Sequence, residues 1–291
     1  MFKFIISAIL LTQINIVLAA AELVSTQWLA KNLDNNKIVL IDMSDSLQYQ
    51  RFHIPAAIHL PYSYLNQSKQ RVSLSIGSRE IIKLLGQIGI SQDSHVVAYD
   101  DTGGLHATRL LWELEQLGHP KMSLLNGGQV KWIREGRTIS FQTPTPSKAV
   151  KYIAKDINNA RTATLNEVAP ESRNKDIFLL DVRSPEEYRG HPTQPRSGHI
   201  PGARFWQWDQ ALDIENGFVL YDASTLKKEM KQIGLSDQEQ PVIVYCRSGH
   251  RASHTYFTLR QLGFKNVKLY DGSMKEYEQA KGRPLTKGMQ P

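Results

Sequence analysis

Residues 242–253 read VIVYCRSGHRAS and contain the single cysteine of this 291-residue chain. The apolar run from Pro241 to Tyr245 is rich in β-branched residues, which predicts a buried strand. A short polar loop with one glycine follows, and a helical pattern begins near Ala252. A cysteine at the end of a strand, on a loop that leads into a helix, is placed for chemistry. Composition alone also allows an inert buried cysteine.

The pattern around this stretch occurs twice in the chain. Each half has an apolar strand ending in aspartate, a His-Ile-Pro segment, a second strand, a helix ending at a glycine, and a third strand ending in a turn. Because strands alternate with helices, we predict an α/β fold with two similar domains, each a mostly parallel sheet flanked by helices. The matching segments are residues 37–42 and 177–181, 53–57 and 199–203, 95–100 and 242–246, and 123–128 and 268–273.

The two halves differ at the strand end that carries the cysteine. Asp100 stands where the second half has Cys246, and the loop that follows Asp100 is one residue longer. We place an inactive first domain at residues 22–142, a proline-containing linker at 143–150 and the catalytic domain at 151–291. The first domain is expected to act as a scaffold and as one wall of a cleft between the domains.

Residues 1–21 have the features of an export signal. Lys3 lies near the amino terminus, an apolar run follows, and the small residues from Ala19 to Ala21 suit cleavage. A membrane anchor is the alternative, but polar residues interrupt the apolar run, which is unfavourable for a stable span. We expect cleavage, no stable membrane insertion afterwards, and a mature protein in a bacterial periplasm.

The charge of the chain favours small anions over nucleic acid as partners. The formal net charge is +7, yet the basic residues are spread along the chain and form no dense run. This balance suits attraction of a small anion into a cleft, although a basic protein without a special partner would look the same. We expect no nucleic-acid partner.

The loop after the strand has the residues needed to hold a sulfur anion. A thiolate is the reactive form of cysteine, and the carboxyl ends of parallel strands are where such sheets bind ligands. Loop N–H groups, the start of the following helix, Arg247 and Arg251 can all stabilise negative charge there. Gly249 permits a loop conformation that most residues resist. The residues expected to bind substrate are Arg247, Ser248, Gly249, His250 and Arg251. Each of three has a simpler alternative: Arg251 pins the loop to the scaffold, His250 is a solvent-exposed loop residue, and Ser248 makes a hydrogen bond to a backbone group.

The chain resembles the tandem-domain rhodaneses, a family of sulfurtransferases, over essentially its whole mature length. The resemblance lies in residues 180–188, 198–203, 246–253 and 263–267. It implies that Cys246 attacks the outer sulfur of a small anionic donor such as thiosulfate, releases sulfite and carries a persulfide to a thiophilic acceptor, cyanide or a thiol. By the same resemblance Arg247 sits beside the anionic end of the donor, and no metal or organic cofactor is implied.

Loop length separates sulfur transfer from phosphate chemistry. Four residues lie between Cys246 and Arg251, whereas the related phosphatases and arsenate reductases have five between cysteine and arginine. The shorter loop favours sulfur transfer.

The identity of the donor is less well determined by the sequence. The pair Arg247 and Ser248 combines features of the thiosulfate and mercaptopyruvate branches of the family. Both branches have a substrate-binding arginine where this chain has Glu187, and Arg251 could bind the substrate in its place. Asp181 and Arg183 are expected to be supporting scaffold, with Arg183 bracing the loop. A mercaptopyruvate sulfurtransferase, or a sulfur carrier that hands a persulfide to a partner protein, remain the alternatives.

Overall fold

The computed structural model describes residues 20–144 and 148–291. Most of the predicted export signal, residues 1–21, and part of the predicted linker therefore lie outside the described residues. Within the described ranges, no helix combines the length and the apolar character needed to cross a membrane.

The first half is built on a five-stranded parallel sheet with strand order β1-β7-β6-β2-β3. A separate antiparallel hairpin, β4–β5, follows a 3₁₀ turn at Tyr62–Leu65. The elements are β1 Glu22–Val24, α1 Thr26–Asn32, β2 Ile38–Asp42, α2 Ser46–Arg51, β3 Ile58–His59, β4 Asn66–Lys69, β5 Val72–Ser75, α3 Ser78–Gln87, β6 His95–Tyr99, α4 Ala107–Gln116, β7 Met122–Leu125 and α5 Gly128–Arg134.

The second half repeats this arrangement on a four-stranded parallel sheet with strand order β13-β12-β8-β9. It too has a separate hairpin, β10–β11, after a 3₁₀ turn at Trp208–Ala211. The elements are α6 Leu165–Val168, β8 Phe178–Asp181, α7 Pro185–Arg189, β9 Arg204–Phe205, β10 Leu212–Asp213, β11 Val219–Leu220, α8 Ala223–Gln232, β12 Val242–Tyr245, α9 His250–Gln261, β13 Val267–Leu269 and α10 Ser273–Gln279.

This architecture confirms the predicted fold class. Strand β12 lies between β13 and β8, and all four of its residues are buried, as its continuous apolar sequence predicts for a parallel sheet covered on both faces. The sheets fall within the predicted ranges 22–142 and 151–291, whose bounds stay a prediction. One local expectation was wrong: α9 begins at His250 rather than near Ala252, because the left-handed conformation of Gly249 (φ +77°) lets the chain enter the helix earlier.

The two halves pack against each other through reciprocal contacts. Helix α4 packs on α9, and the hairpin of each half reaches the other half's sheet. The Ser75 N–H donates to Asp271 Oδ2 (2.8 Å), and in the opposite direction the Leu220 N–H donates to Asn126 Oδ1 (2.9 Å). Asn126 and Asp271 follow β7 and β13, the corresponding strands of the two halves. Each loop region is therefore covered by an element from the other domain.

A shared hydrophobic core joins the halves. The largest buried cluster includes Leu110 and Trp112 of α4 together with Tyr256 and Phe257 of α9. An open cavity of about 430 Å³ lies beside this contact and is lined by residues of both halves, among them Trp112 and Asp271. The two halves thus share both a core and a cavity at their interface.

Candidate functional site

Cys246 lies directly after β12, at the carboxyl end of a central strand, as the sequence predicts. It is a free thiol and only 1% exposed. The short loop from Cys246 to Gly249 joins the strand to α9. Strand β12 is buried and paired on both sides. Packing of the core therefore fixes where Cys246 lies at the carboxyl end of the sheet.

Ser273, which the sequence analysis did not single out, holds the two ends of this loop. Its Oγ accepts hydrogen bonds from the backbone N–H groups of Cys246 (3.1 Å) and Gly249 (3.0 Å), and its hydroxyl donates to the carbonyl of Tyr270 (2.7 Å). Ser273 is fully buried and has a positive φ of 49°. The only signal in the sequence was its place just after the last strand of the repeat.

Several other N–H groups of the loop are free to hold an anion. Among the residues that the structure describes, the backbone N–H groups of Ser248, Arg251 and Ala252 have no hydrogen-bond acceptor. Buried or half-buried N–H groups rarely stay without a partner, and clustered N–H groups at a helix start form anion-binding concavities.

The corresponding loop of the first half shows what such a cradle holds. The Asp100 carboxylate accepts hydrogen bonds from four backbone N–H groups of its own loop, at 2.7–2.9 Å. Counted back from the glycine that ends each following helix, two of these donors, His106 and Ala107, match Arg251 and Ala252. In the first half, this loop therefore binds one negative group at the strand end.

Arg251 pairs with Glu187 of α7, and its expected role in binding substrate stays a prediction. The guanidinium makes two hydrogen bonds to the carboxylate, at 2.6 and 3.0 Å. Burial by itself would lower the pKa of Arg251, but the hydrogen bond to Glu187 and the nearby charge of Cys246 raise it. Burial tends to raise the pKa of Glu187, and the hydrogen bond from Arg251 lowers it below its usual value. The pair carries no net charge when both groups are ionised.

Arg247 and Ser248 lie on the outer side of the loop. The Arg247 side chain is 47% exposed and pairs with Glu278 of α10 at 3.1 Å. Ser248 is half-buried. In this arrangement the Arg247 guanidinium faces the surface and a carboxylate, so its expected place beside the anionic end of a donor stays a prediction.

His250 is part of an aromatic cluster across the domain interface rather than a solvent-exposed loop residue. Its ring stacks on Tyr62 with centroids 3.8 Å apart and lies 4.7 Å from the ring of His106. Burial lowers the pKa of His250 to about 3, so the imidazole is neutral at physiological pH. Within the described residues, His250 Nε2 and His106 Nδ1 are buried without a hydrogen-bond partner.

Tyr62 and His106 are first-domain residues that the sequence analysis missed. His106 lies in the loop that corresponds to the cysteine loop, which is the signal that could have identified it. Tyr62 precedes the β4–β5 hairpin and carries no motif of its own. Together they place first-domain side chains against His250 of the second half.

Asp181 and Arg183 form a buried pair that supports the strands instead of touching the loop. Arg183 Nη2 donates to Asp181 Oδ2 (2.7 Å) and to the carbonyl of Gly198 (2.7 Å). The Tyr245 hydroxyl accepts from the N–H of Ile200 (3.2 Å). Among the described residues, Arg183 makes no hydrogen bond to residues 246–251. The predicted brace therefore acts on the segment 198–200 and, through Tyr245, on the strand that ends at the cysteine.

Comparison with known proteins finds similarity over most of the chain. A family model described as the rhodanese-like domain matches it twice, at residues 25–135 and 164–280. The chain is 34% identical to the "Sulfur carrier protein TtuD" of Thermus thermophilus, over 91% of this chain and 96% of that protein. It is 32% identical to the "Thiosulfate sulfurtransferase" of Corynebacterium glutamicum, over 91% of this chain and 90% of that protein. Among solved structures, the Tum1 protein from Saccharomyces cerevisiae superposes with a TM-score of 0.77 at 22% identity, over 93% of this chain and 99% of Tum1, which shows a shared fold.

Proposed function

The chain belongs to the rhodanese family, with two rhodanese-like domains in tandem, and on that basis we propose that it moves sulfur from thiosulfate to a thiophilic acceptor through a persulfide on Cys246. The observation that carries this proposal is the loop after β12: its cysteine stands where the other half has a carboxylate, and several backbone N–H groups of the loop have no acceptor among the described residues. Sulfur transfer or sulfur carriage is what its relatives are named for.

In the first step the Cys246 thiolate attacks the outer sulfur of thiosulfate. A new S–S bond forms at Cys246, the S–S bond of thiosulfate breaks, and sulfite leaves with the bonding electron pair. The terminal sulfur of the resulting persulfide carries the negative charge. No proton has to be removed during this step when the thiol is already ionised, so no general base is required.

In the second step the acceptor takes the terminal sulfur. Cyanide or a thiolate attacks it, the S–S bond at Cys246 breaks, and thiocyanate or the acceptor's persulfide leaves while the Cys246 thiolate is restored. Thiolate and persulfide are both anions, so the free N–H groups of Ser248, Arg251 and Ala252 favour both states of the cycle.

The experiment is a two-part assay on the mature full chain. Sulfite and thiocyanate are measured with thiosulfate and cyanide as substrates, and intact mass is measured after thiosulfate alone. We expect turnover, and an added sulfur atom that is absent from Cys246→Ser. An intact thiol without turnover or sulfur addition would refute the proposal, and a Cys246→Ser variant with full activity would refute the nucleophile.

Two observations support other donors or acceptors. Ser248 favours mercaptopyruvate as the donor, and a comparison of kcat/KM for the two donors decides between them. The relative named as a sulfur carrier supports delivery to a partner protein. A persulfide that is stable towards cyanide and small thiols but is lost rapidly to a co-purifying protein would favour that function.

A further inference from the structure

A buried ion pair between the two domains adjoins the cysteine loop. Arg109 of α4 is fully buried, and its Nη1 donates to Asp271 Oδ1 at 2.6 Å. The other carboxylate oxygen of Asp271 accepts from the N–H of Ser75, also in the first domain. Asp271 belongs to the catalytic domain, yet both of its carboxylate oxygens are held by the other domain.

Asp271 touches the cysteine loop at Gly249. A Cβ atom built on Gly249 would lie 2.7 Å from Asp271 Oδ1, 2.9 Å from the Asp271 carbonyl oxygen and 3.0 Å from Arg109 Nη1. Asp271 also stands two residues before Ser273, the acceptor for the N–H groups of Cys246 and Gly249. The ion pair therefore adjoins the loop both in space and along the chain.

The guanidinium of Arg109 is otherwise poorly paired. Within the described residues its Nε and Nη2 have no hydrogen-bond partner, although Nε lies 3.3 Å from Glu113 Oε1 and the group sits 4.5 Å above the ring of Trp112. Burying an arginine that makes few hydrogen bonds costs desolvation free energy, so the buried Arg109–Asp271 pair is expected to add little to the stability of the fold. Its placement against the loop suggests another role.

We propose that Arg109 is a positioning residue for sulfur transfer: its ion pair with Asp271 holds the backbone of the cysteine loop at Gly249 in the shape that receives the sulfur. This inference rests on the proposed function of Cys246. It assigns the first domain, which has no cysteine, a direct part in the reaction. Arg109 itself does not touch the substrate, because it is fully buried behind the loop.

A second interdomain contact on the same helix provides a matched control. Glu115 of α4 is also buried and also crosses the interface, where its Oε2 accepts from the hydroxyl of Tyr256 (2.8 Å) and its Oε1 lies 3.4 Å from Arg260 Nη2. Neither partner is in the cysteine loop. Glu115→Gln weakens the interface without disturbing Gly249.

The test measures the single-turnover rate of persulfide formation from saturating thiosulfate, together with the melting temperature, on the full chain. We expect Arg109→Met to slow loading by about 30-fold or more, since a displacement of about 1 Å at a reacting group can cost about a hundredfold. Arg109→Lys keeps a positive charge near Asp271 and should stay within about fivefold of the wild type. Glu115→Gln should load within about twofold of the wild type.

A double variant separates positioning from stability. Arg109→Met leaves Asp271 and Glu113 buried without their cation. Arg109→Met/Asp271→Asn removes the charge of Asp271 and is expected to recover part of the melting temperature. If loading stays slow in the double variant, positioning is supported. Three outcomes would overturn the inference. The double variant loads sulfur at the wild-type rate, Arg109→Lys is slowed as much as Arg109→Met, or Glu115→Gln is slowed as much as Arg109→Met. A wild-type chain that does not load sulfur at all would instead contradict the proposed function.

Discussion

Asp100 and Cys246 occupy the same strand end in the two halves of the molecule, and the Asp100 carboxylate fills the backbone cradle that Cys246 leaves open. Four N–H groups donate to the two oxygens of Asp100. In the second half, Ser273 takes two N–H groups and the others have no acceptor among the described residues. One fold therefore carries a cradle closed by its own anion and a second cradle that, in the proposed function, receives a sulfur anion.

Asp100→Asn should destabilise the first domain. The amide NH₂ of asparagine can only donate, so it faces backbone N–H groups that also donate. At least two charge-assisted hydrogen bonds are therefore lost inside the fold. We expect the free energy of unfolding in urea to fall by about 2–4 kcal/mol. Asp101→Asn, at the next and half-buried position, is the control and should cost less than about 1 kcal/mol. Equal losses in the two variants would contradict the cradle.

Ser273→Ala should impair sulfur transfer more than stability. The variant leaves the N–H groups of Cys246 and Gly249 without their acceptor, so the loop is free to relax. We expect unfolding to become easier by about 1–3 kcal/mol and kcat/KM for thiosulfate to fall by at least about tenfold. A loss of stability with unchanged kcat/KM would show that Ser273 does not shape the loop.

Gly249→Ala should abolish persulfide formation because of a collision rather than through backbone strain. Gly249 and Gly282 have the same φ of +77°, but a Cβ on Gly282 meets no atom within 4 Å, whereas one on Gly249 meets Asp271 and Arg109. Gly282→Ala thus measures the cost of the left-handed conformation alone, about 1–2 kcal/mol. Intact mass after thiosulfate should show sulfur on the Gly282 variant only. Sulfur on both variants would contradict the close packing behind the loop.

Glu187→Gln should improve the use of anionic donors. Removing the carboxylate charge leaves Arg251 with uncompensated positive charge at the loop edge. We expect KM for thiosulfate to fall by about two- to fivefold at low ionic strength, with the gain reduced in high salt. Steady-state kinetics in both salts measure this, and a rise in KM would indicate that Arg251 needs Glu187 to hold its position.

Glu113 should make stability depend on pH. Burial raises the pKa of its carboxyl to about 7 in spite of the neighbouring Arg109. An exposed glutamate of the unfolded chain has a pKa of about 4.3, so the contribution of Glu113 is complete below that pH and is lost as pH rises through about 7.

The variant Glu113→Gln cannot ionise and should escape this loss. Relative to the wild type, its free energy of unfolding should rise by about 2–3 kcal/mol between pH 5 and pH 7.5. Urea unfolding of both proteins at the two pH values measures the difference. A difference that does not change with pH would contradict the raised pKa of Glu113.

Much of the architecture was predictable because it depends on local pattern. The repeat of apolar strands and helices predicts two parallel sheets, and the fold and the family were confirmed. The start of α9 was placed two residues too late, because the pattern of apolar residues does not reveal the left-handed entry at Gly249. The sequence did not decide whether His250 is a solvent-exposed loop residue or part of the site, because its stacking on Tyr62 depends on the other domain.

The sequence by itself determined that one cysteine follows a buried strand, that its loop is short, and that the first half lacks this cysteine. These properties follow from residue type and spacing within a few turns of chain. Only the tertiary structure decided that Ser273 ties the loop, that Glu187 pairs with Arg251 and that Arg109 of the other domain pairs with Asp271. The last pair spans 162 positions, and contacts at such separation arise from how the two domains pack, which no local pattern records.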